Sequence, residues 1–136
     1  MSDWLAGSAL DRVEERRVDP DWVRASWADP EAVVLPVGEV AVAVTPDGTL
    51  ATRPTTGAYD PERHYLLGLI EDRPWFATWA DGDEVTALRS VMDGLSASDL
   101  QAAFTGSGLA RWHANAGFCS TCGASTRSVR GGQARE

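Results

Sequence analysis

Residues 64 to 79 constrain the fold more than any other stretch: His64-Tyr-Leu-Leu-Gly-Leu-Ile70 is the most apolar strand candidate in the chain, and Glu71-Asp-Arg-Pro74 turns it back into Trp75-Phe-Ala-Thr-Trp79. Two such runs joined by a short polar turn form an antiparallel pair, and their apolarity on successive residues places that pair near the centre of a sheet. Upstream, Ala32–Leu35, Val40–Val44 and Thr49–Thr52 read as a β-meander. Its breaks are Pro36-Val-Gly38 and Thr45-Pro-Asp-Gly48, where proline presets φ and glycine accepts a positive one. Val85–Leu88 reads as a further strand, after a turn at Asp81-Gly-Asp83.

Helix signals flank this sheet. Asp19-Pro20 is an N-cap followed by proline at the first helical position, and Asp29-Pro30 ends the short helix that carries Trp22 and Trp27. At least one of the two indoles is expected in the core. Ser96 or Ser98 caps a second helix, with Leu100, Ala103, Phe104, Leu109, Trp112 and Ala116 as its apolar face. Gly106-Ser-Gly108 lies inside it, and at roughly 1 kcal/mol per glycine against alanine a kink or break is expected there. Residues 3 to 17 read as a short helix or a loosely docked arm with a solvated charge run. The fold class is therefore α+β: a small β-meander or mixed sheet packed by one or two helices, followed by an incomplete zinc-ribbon knuckle.

That knuckle is Cys119-Ser-Thr-Cys122-Gly123, placed directly after the second helix. A tight turn brings both sulfurs to one side, so the pair can hold one tetrahedral metal ion, and Gly123 suits the positive φ that the turn needs. Structural zinc takes four ligands, and no Cys or His follows Cys122 in these 136 residues. Three readings stay open: half of a zinc ribbon, a dithiol redox pair, or a zinc clamp shared by two chains. His113 precedes the pair on the helix and reads as a surface or supporting residue, while His64, at a strand start, reads as a packed imidazole.

Charge separates the halves: residues 1 to 99 hold nineteen acidic side chains and eight Arg, whereas residues 100 to 136 hold four Arg and only Glu136, for a net −8. An acidic body argues against a general nucleic-acid surface, which needs clustered cations. Arg127, Arg130 and Arg135 read as solvated side chains of the ribbon or as partners of the acidic body. No apolar run approaches the ~20 residues of a membrane span, so no membrane partner is expected and a cytoplasmic location is the default.

Taken together, Leu66-Leu67-Gly68 with Pro74-Trp75-Phe76-Ala77, then Leu109-Ala-Arg-Trp-His113 with Phe118-Cys119-x-x-Cys122-Gly123, and Thr126 with Gly131-Gly132-x-Ala-Arg135, resemble the N-terminal part of the Nudix-type NAD(H) pyrophosphatases, or NAD diphosphatases. The resemblance implies an N-terminal α+β domain over residues 1 to 108, and a linking helix with the first half of a zinc ribbon over residues 109 to 136. It implies Cys119 and Cys122 as zinc ligands, a homodimer, and a whole enzyme that splits NAD(H) into nicotinamide mononucleotide and AMP and removes NAD caps from RNA. That reaction uses Mg²⁺ or Mn²⁺ held by the glutamate-rich Nudix box. Glu14-Glu15 is the only adjacent glutamate pair here and lacks the box's spacing. This stretch is accordingly expected to be non-catalytic, with the family's third cysteine and its Nudix domain lying beyond it. The rival expectation is a free-standing zinc-clamped binding or dimerisation module.

Overall fold

The computed structural model describes residues 9–80 and 82–136. Leu5 and the rest of the expected N-terminal helix or docked arm before residue 9, and Asp81 of the expected turn, lie outside them. The described part of that N-terminal stretch is a short strand, β1 (Leu10–Asp11), and a single turn in which Arg17 N donates to Val13 O at 3.0 Å.

The fold is α+β. Helix α1 (Pro20–Ala28) begins at an Asp19 cap that accepts from Asp21 N at 3.0 Å, as the Asp-Pro signal predicts. Strands β2 (Val33–Gly38), β3 (Ala41–Val42), β4 (Arg53–Pro54), β5 (Tyr65–Ile70), β6 (Arg73–Trp79) and β7 (Thr86–Ala87) join β1 in a mixed sheet of order β1-β5-β6-β2-β3-β7. β4 pairs with the beginning of β2, and β2 with β6 is the parallel pair. Thr49–Thr52 contributes only a bridge, Val44 to Leu50, around the Gly48 turn. Helix α2 (Ala97–Asn115) completes the body after its Ser96 cap. Among the described residues no helix is long and apolar enough to cross a membrane.

Strand alternation divides the core in two. Val33, Leu35, Val37, Leu67 and Ala77 face α2 with Ala102, Ala103 and Ala110, whereas Val34, Leu66 and Phe76 face α1 with Val23 and Trp27. Both faces of β2 and β5 are covered, which is why their apolar residues run on without polar alternates. Phe76, Leu66 and Leu67 are fully buried, each contributing roughly 1.5–3 kcal/mol relative to exposure.

Three expectations for α2 are corrected. The helix runs unbroken through Gly106-Ser-Gly108, because a Cβ on Gly106 would lie 3.0 Å from Ala77 Cβ and 3.3 Å from Val37 Cγ1. Glycine there lets the helix approach the sheet, and Ser107 Oγ donates to Gly38 O at 2.6 Å in the same contact. Phe104 and Trp112 are not core residues but are 39% and 42% exposed. The small side chains do the packing instead, since they bring the helix axis close to the strands.

At Gly68 the β5–β6 register shifts, and Gly68 adopts φ +145 with its α-carbon against β1. A Cβ there would meet Asp11 O at 2.1 Å. The bulge leaves carbonyls turned inward, and buried Arg17 takes them: Nη2 donates to Leu66 O at 3.1 Å and Leu67 O at 3.3 Å, and Nε to Arg12 O at 2.9 Å. Burial, then the charge of Arg12, lowers the Arg17 pKa to about 10, so the side chain stays cationic at neutral pH.

Candidate metal centre and its docking network

α2 ends at Asn115 with its Ala116 cap, and the chain passes directly into the knuckle. Cys119 N donates to Ala124 O at 2.7 Å and Gly123 N to Cys119 O at 2.8 Å, with Gly123 at φ +75. A bridge from Phe118 to Ser125 closes the turn. Cys119 is half-buried, Cys122 is exposed, and both are free thiols. The backbone N–H of Cys122, then that of Thr121, and the Cys122 thiol all point at Cys119 Sγ and hold its pKa below the usual thiol value. These donors favour a thiolate, the form that ligates metal. Among the described residues no group of three or more His, Cys, Asp or Glu converges. Among the described residues the knuckle therefore carries two thiols on one turn, with no third such group beside them.

Residues after Gly123 form a hairpin. β8 (Ser128–Val129) pairs antiparallel with β9 (Ala134–Arg135), and Arg127 and Glu136 exchange backbone hydrogen bonds at 2.8 and 3.0 Å. Two glycines seat it: a Cβ on Gly131 would lie 2.9 Å from Leu66 Cβ, and one on Gly132 2.9 Å from Tyr65 Cδ1. Both have positive φ, so the tight docking needs glycine twice over.

A polar network then ties the hairpin to the body. Arg135, its side chain only 7% exposed, donates to Glu62 Oε1 at 2.9 Å, to Thr126 O at 2.8 Å and to His113 Nδ1 at 2.8 Å. His113 Nε2 donates to Gly132 O at 2.6 Å, and the ring stacks on Tyr65 at 4.2 Å. A guanidinium can only donate and a carbonyl can only accept, so His113 is the neutral Nε2–H tautomer. Burial first, and then the Arg135 charge, lowers its pKa. For Glu62, burial pushes upward but is outweighed by the Ser128 N–H at 2.6 Å and by Arg135, so its pKa is lowered.

The network decides between the alternatives that the sequence left open for His113 and for the tail arginines. His113 is buried with both ring nitrogens engaged, so it is neither on the surface nor available to the thiols. Of the three tail arginines, Arg135 is the partner of the acidic body, and Arg127 pairs with Glu136 on the surface. Sequence pattern offered only one hint of this network: Gly131-Gly132 followed by Ala134-Arg135, a turn and a short strand. His64 is the packed imidazole expected of it, stacked 3.8 Å from Trp27. No protein-family model matches the chain, and no curated protein matches it at a significant level.

Proposed function

We propose that this chain is the N-terminal α+β portion and first ribbon half of a Nudix-type NAD(H) diphosphatase, a cytoplasmic homodimer whose catalytic residues lie outside these residues. The observation that supports it best is the path of the chain: α2 passes straight into the Cys119/Cys122 knuckle, and β9 returns toward it. Because β9 is antiparallel to β8, the direction from Ala134 to Glu136 runs back past Arg127 toward Ser125 and the knuckle. A segment following Glu136 would be delivered beside the two thiols, where the second ligand pair of a ribbon is needed.

In that role Cys119 and Cys122 hold one side of a structural zinc, whose binding orders the ribbon. The docked hairpin fixes the ribbon's orientation on the body through Arg135, Glu62 and His113. Cleavage of the pyrophosphate, with Mg²⁺ or Mn²⁺ on Nudix-box carboxylates, belongs to the whole enzyme. The 136-residue chain is inactive on its own. The test reads the coding sequence beyond Glu136 and assays NADH hydrolysis with Mn²⁺ for the chain alone and for the extended protein. A downstream Cys-x-x-Cys and Nudix box, with activity only in the extended protein, is the expected result. A stop codon after Glu136, or turnover of ~1 s⁻¹ or above by the chain alone, would sink the reading.

A second reading rests on the exposure of the knuckle, where Phe118 is 71% exposed and Cys122 faces solvent. Two copies could pool their thiols around one zinc as a binding or dimerisation module. Half an equivalent of zinc per chain, in a dimer lost on Cys119→Ser/Cys122→Ser, is its signature.

A further inference from the structure

A cavity of about 450 Å³ opens between α1, the loop from Tyr59 to Glu62 and the β8–β9 hairpin. That volume falls within the range of small-molecule sites. Val18, Val23, Val129 and Tyr59 supply apolar lining, and Val18 is 54% exposed. Arg24, Arg127 and Arg130 supply cations, and Glu62 and Glu136 the opposing charge.

The carboxylates are already committed. Glu62 Oε1 accepts from Arg135 and Oε2 from Ser128 N, and Glu136 Oε1 accepts from Arg127 Nη2 at 3.1 Å. Arg24 and Arg130, by contrast, have no ion-pair partner among the described residues. Arg17 adds a buried positive charge nearby, its Nη1 on Arg130 O at 3.4 Å and all its partners carbonyls. A cavity with surplus positive charge is out of keeping with a chain of net charge −8.

Ser128 adds an independent pointer. It lines the cavity, is 5% exposed, and its hydroxyl has no hydrogen-bond partner in the structure. Buried polar side chains are almost always paired. A serine left unpaired in the wall of a cationic cavity has hydrogen-bonding capacity that a ligand oxygen would satisfy.

We propose that this cavity binds a small organic anion, a phosphate or carboxylate head on an apolar body, with Arg24 and Arg130 pairing the head, Ser128 donating to it, and Val18, Val23 and Tyr59 covering the body. The guanidinium fork fits either head group in a bidentate pair. The site does not depend on the NAD diphosphatase reading, since no part of it involves the knuckle.

The test follows backbone amide shifts of the full chain by NMR at constant ionic strength, titrating phenyl phosphate, benzoate, inorganic phosphate and benzyl alcohol separately. Saturable shifts confined to α1, residues 59–62 and the hairpin are expected for phenyl phosphate and, more weakly, benzoate. Inorganic phosphate and benzyl alcohol should each bind less tightly than phenyl phosphate. Arg24→Gln and Arg130→Gln should each weaken phenyl phosphate roughly tenfold, the loss expected for one charge-assisted contact. Arg24 is exposed, so its variant keeps the test open even if Arg130→Gln disturbs the hairpin. Absence of saturable shifts from both charged aromatic probes, equal binding of benzyl alcohol or inorganic phosphate, or indifference to both arginine variants would overturn the proposal.

Discussion

His113 can accept from Arg135 only while its ring is neutral, so proton uptake breaks that contact and sets two cations side by side, while the Nε2–H bond to Gly132 O survives. Its pKa is lowered from the ordinary 6.5, as is that of His64. A base with a depressed folded pKa binds fewer protons folded than unfolded, so stability rises with pH across that window. It is fully present above about 6.5 and lost as pH falls toward the folded value. Glu62 adds a second loss at lower pH, because its carboxylate is favoured in the fold and its contribution disappears below its ordinary 4.5. Melting temperature should therefore drop from pH 7 to pH 5, and less so in His113→Gln. An equal drop in that variant would place the titration elsewhere. Removing the guanidinium in Arg135→Met strands a partly exposed carboxylate and a buried imidazole, and should cost roughly 1–3 kcal/mol in chemical denaturation. A change within a few tenths would mean that Arg135 does not hold the hairpin.

α2 is the element on which local rules and packing disagree, and its two glycines separate the causes. Gly108 faces open space, so Gly108→Ala should stabilise the protein by up to about 1 kcal/mol through helix propensity alone. Gly106 faces Ala77 and Val37, so Gly106→Val should destabilise it by roughly 1–3 kcal/mol through overpacking. Thermal melts of both variants check the pair, and the same sign for both would refute the account. The β5–β6 pair and the α1 cap were legible because they rest on neighbouring residues: a continuous apolar run, a short turn, Asp before Pro. An unbroken α2 was not, since the glycine penalty is local whereas its compensation comes from strands some thirty or more residues upstream. Phe104 and Trp112 fit a helical apolar stripe equally well. Only the closeness of the sheet, set by the alanines and Gly106, leaves them outside. The site was legible in part for the same reason: Cys-x-x-Cys-Gly is a local signature, whereas Arg135, Glu62 and His113 meet only through the fold.

Over the whole molecule, the knuckle hangs from a body that is packed without it. The hairpin beyond it is held by Gly131, Gly132 and Arg135 rather than by the thiols. Cys119→Ser/Cys122→Ser and chelator treatment should therefore leave the melting temperature of this chain unchanged, while amide exchange quickens within residues 117–126 alone. A cooperative loss of the fold on chelation would show that metal, and not the docking network, secures the body. Arg17 carries a different consequence, one of timing. Its partners at Leu66 and Leu67 lie 49 and 50 residues downstream, and the carbonyl of Arg130 lies 113 residues downstream. A chain made from its N-terminus onward holds this cation long before its last acceptor has been synthesised. The outer layer over β5 can close only when synthesis has passed Arg130, so the nascent body waits, unsealed on one face, for the segment that carries the knuckle.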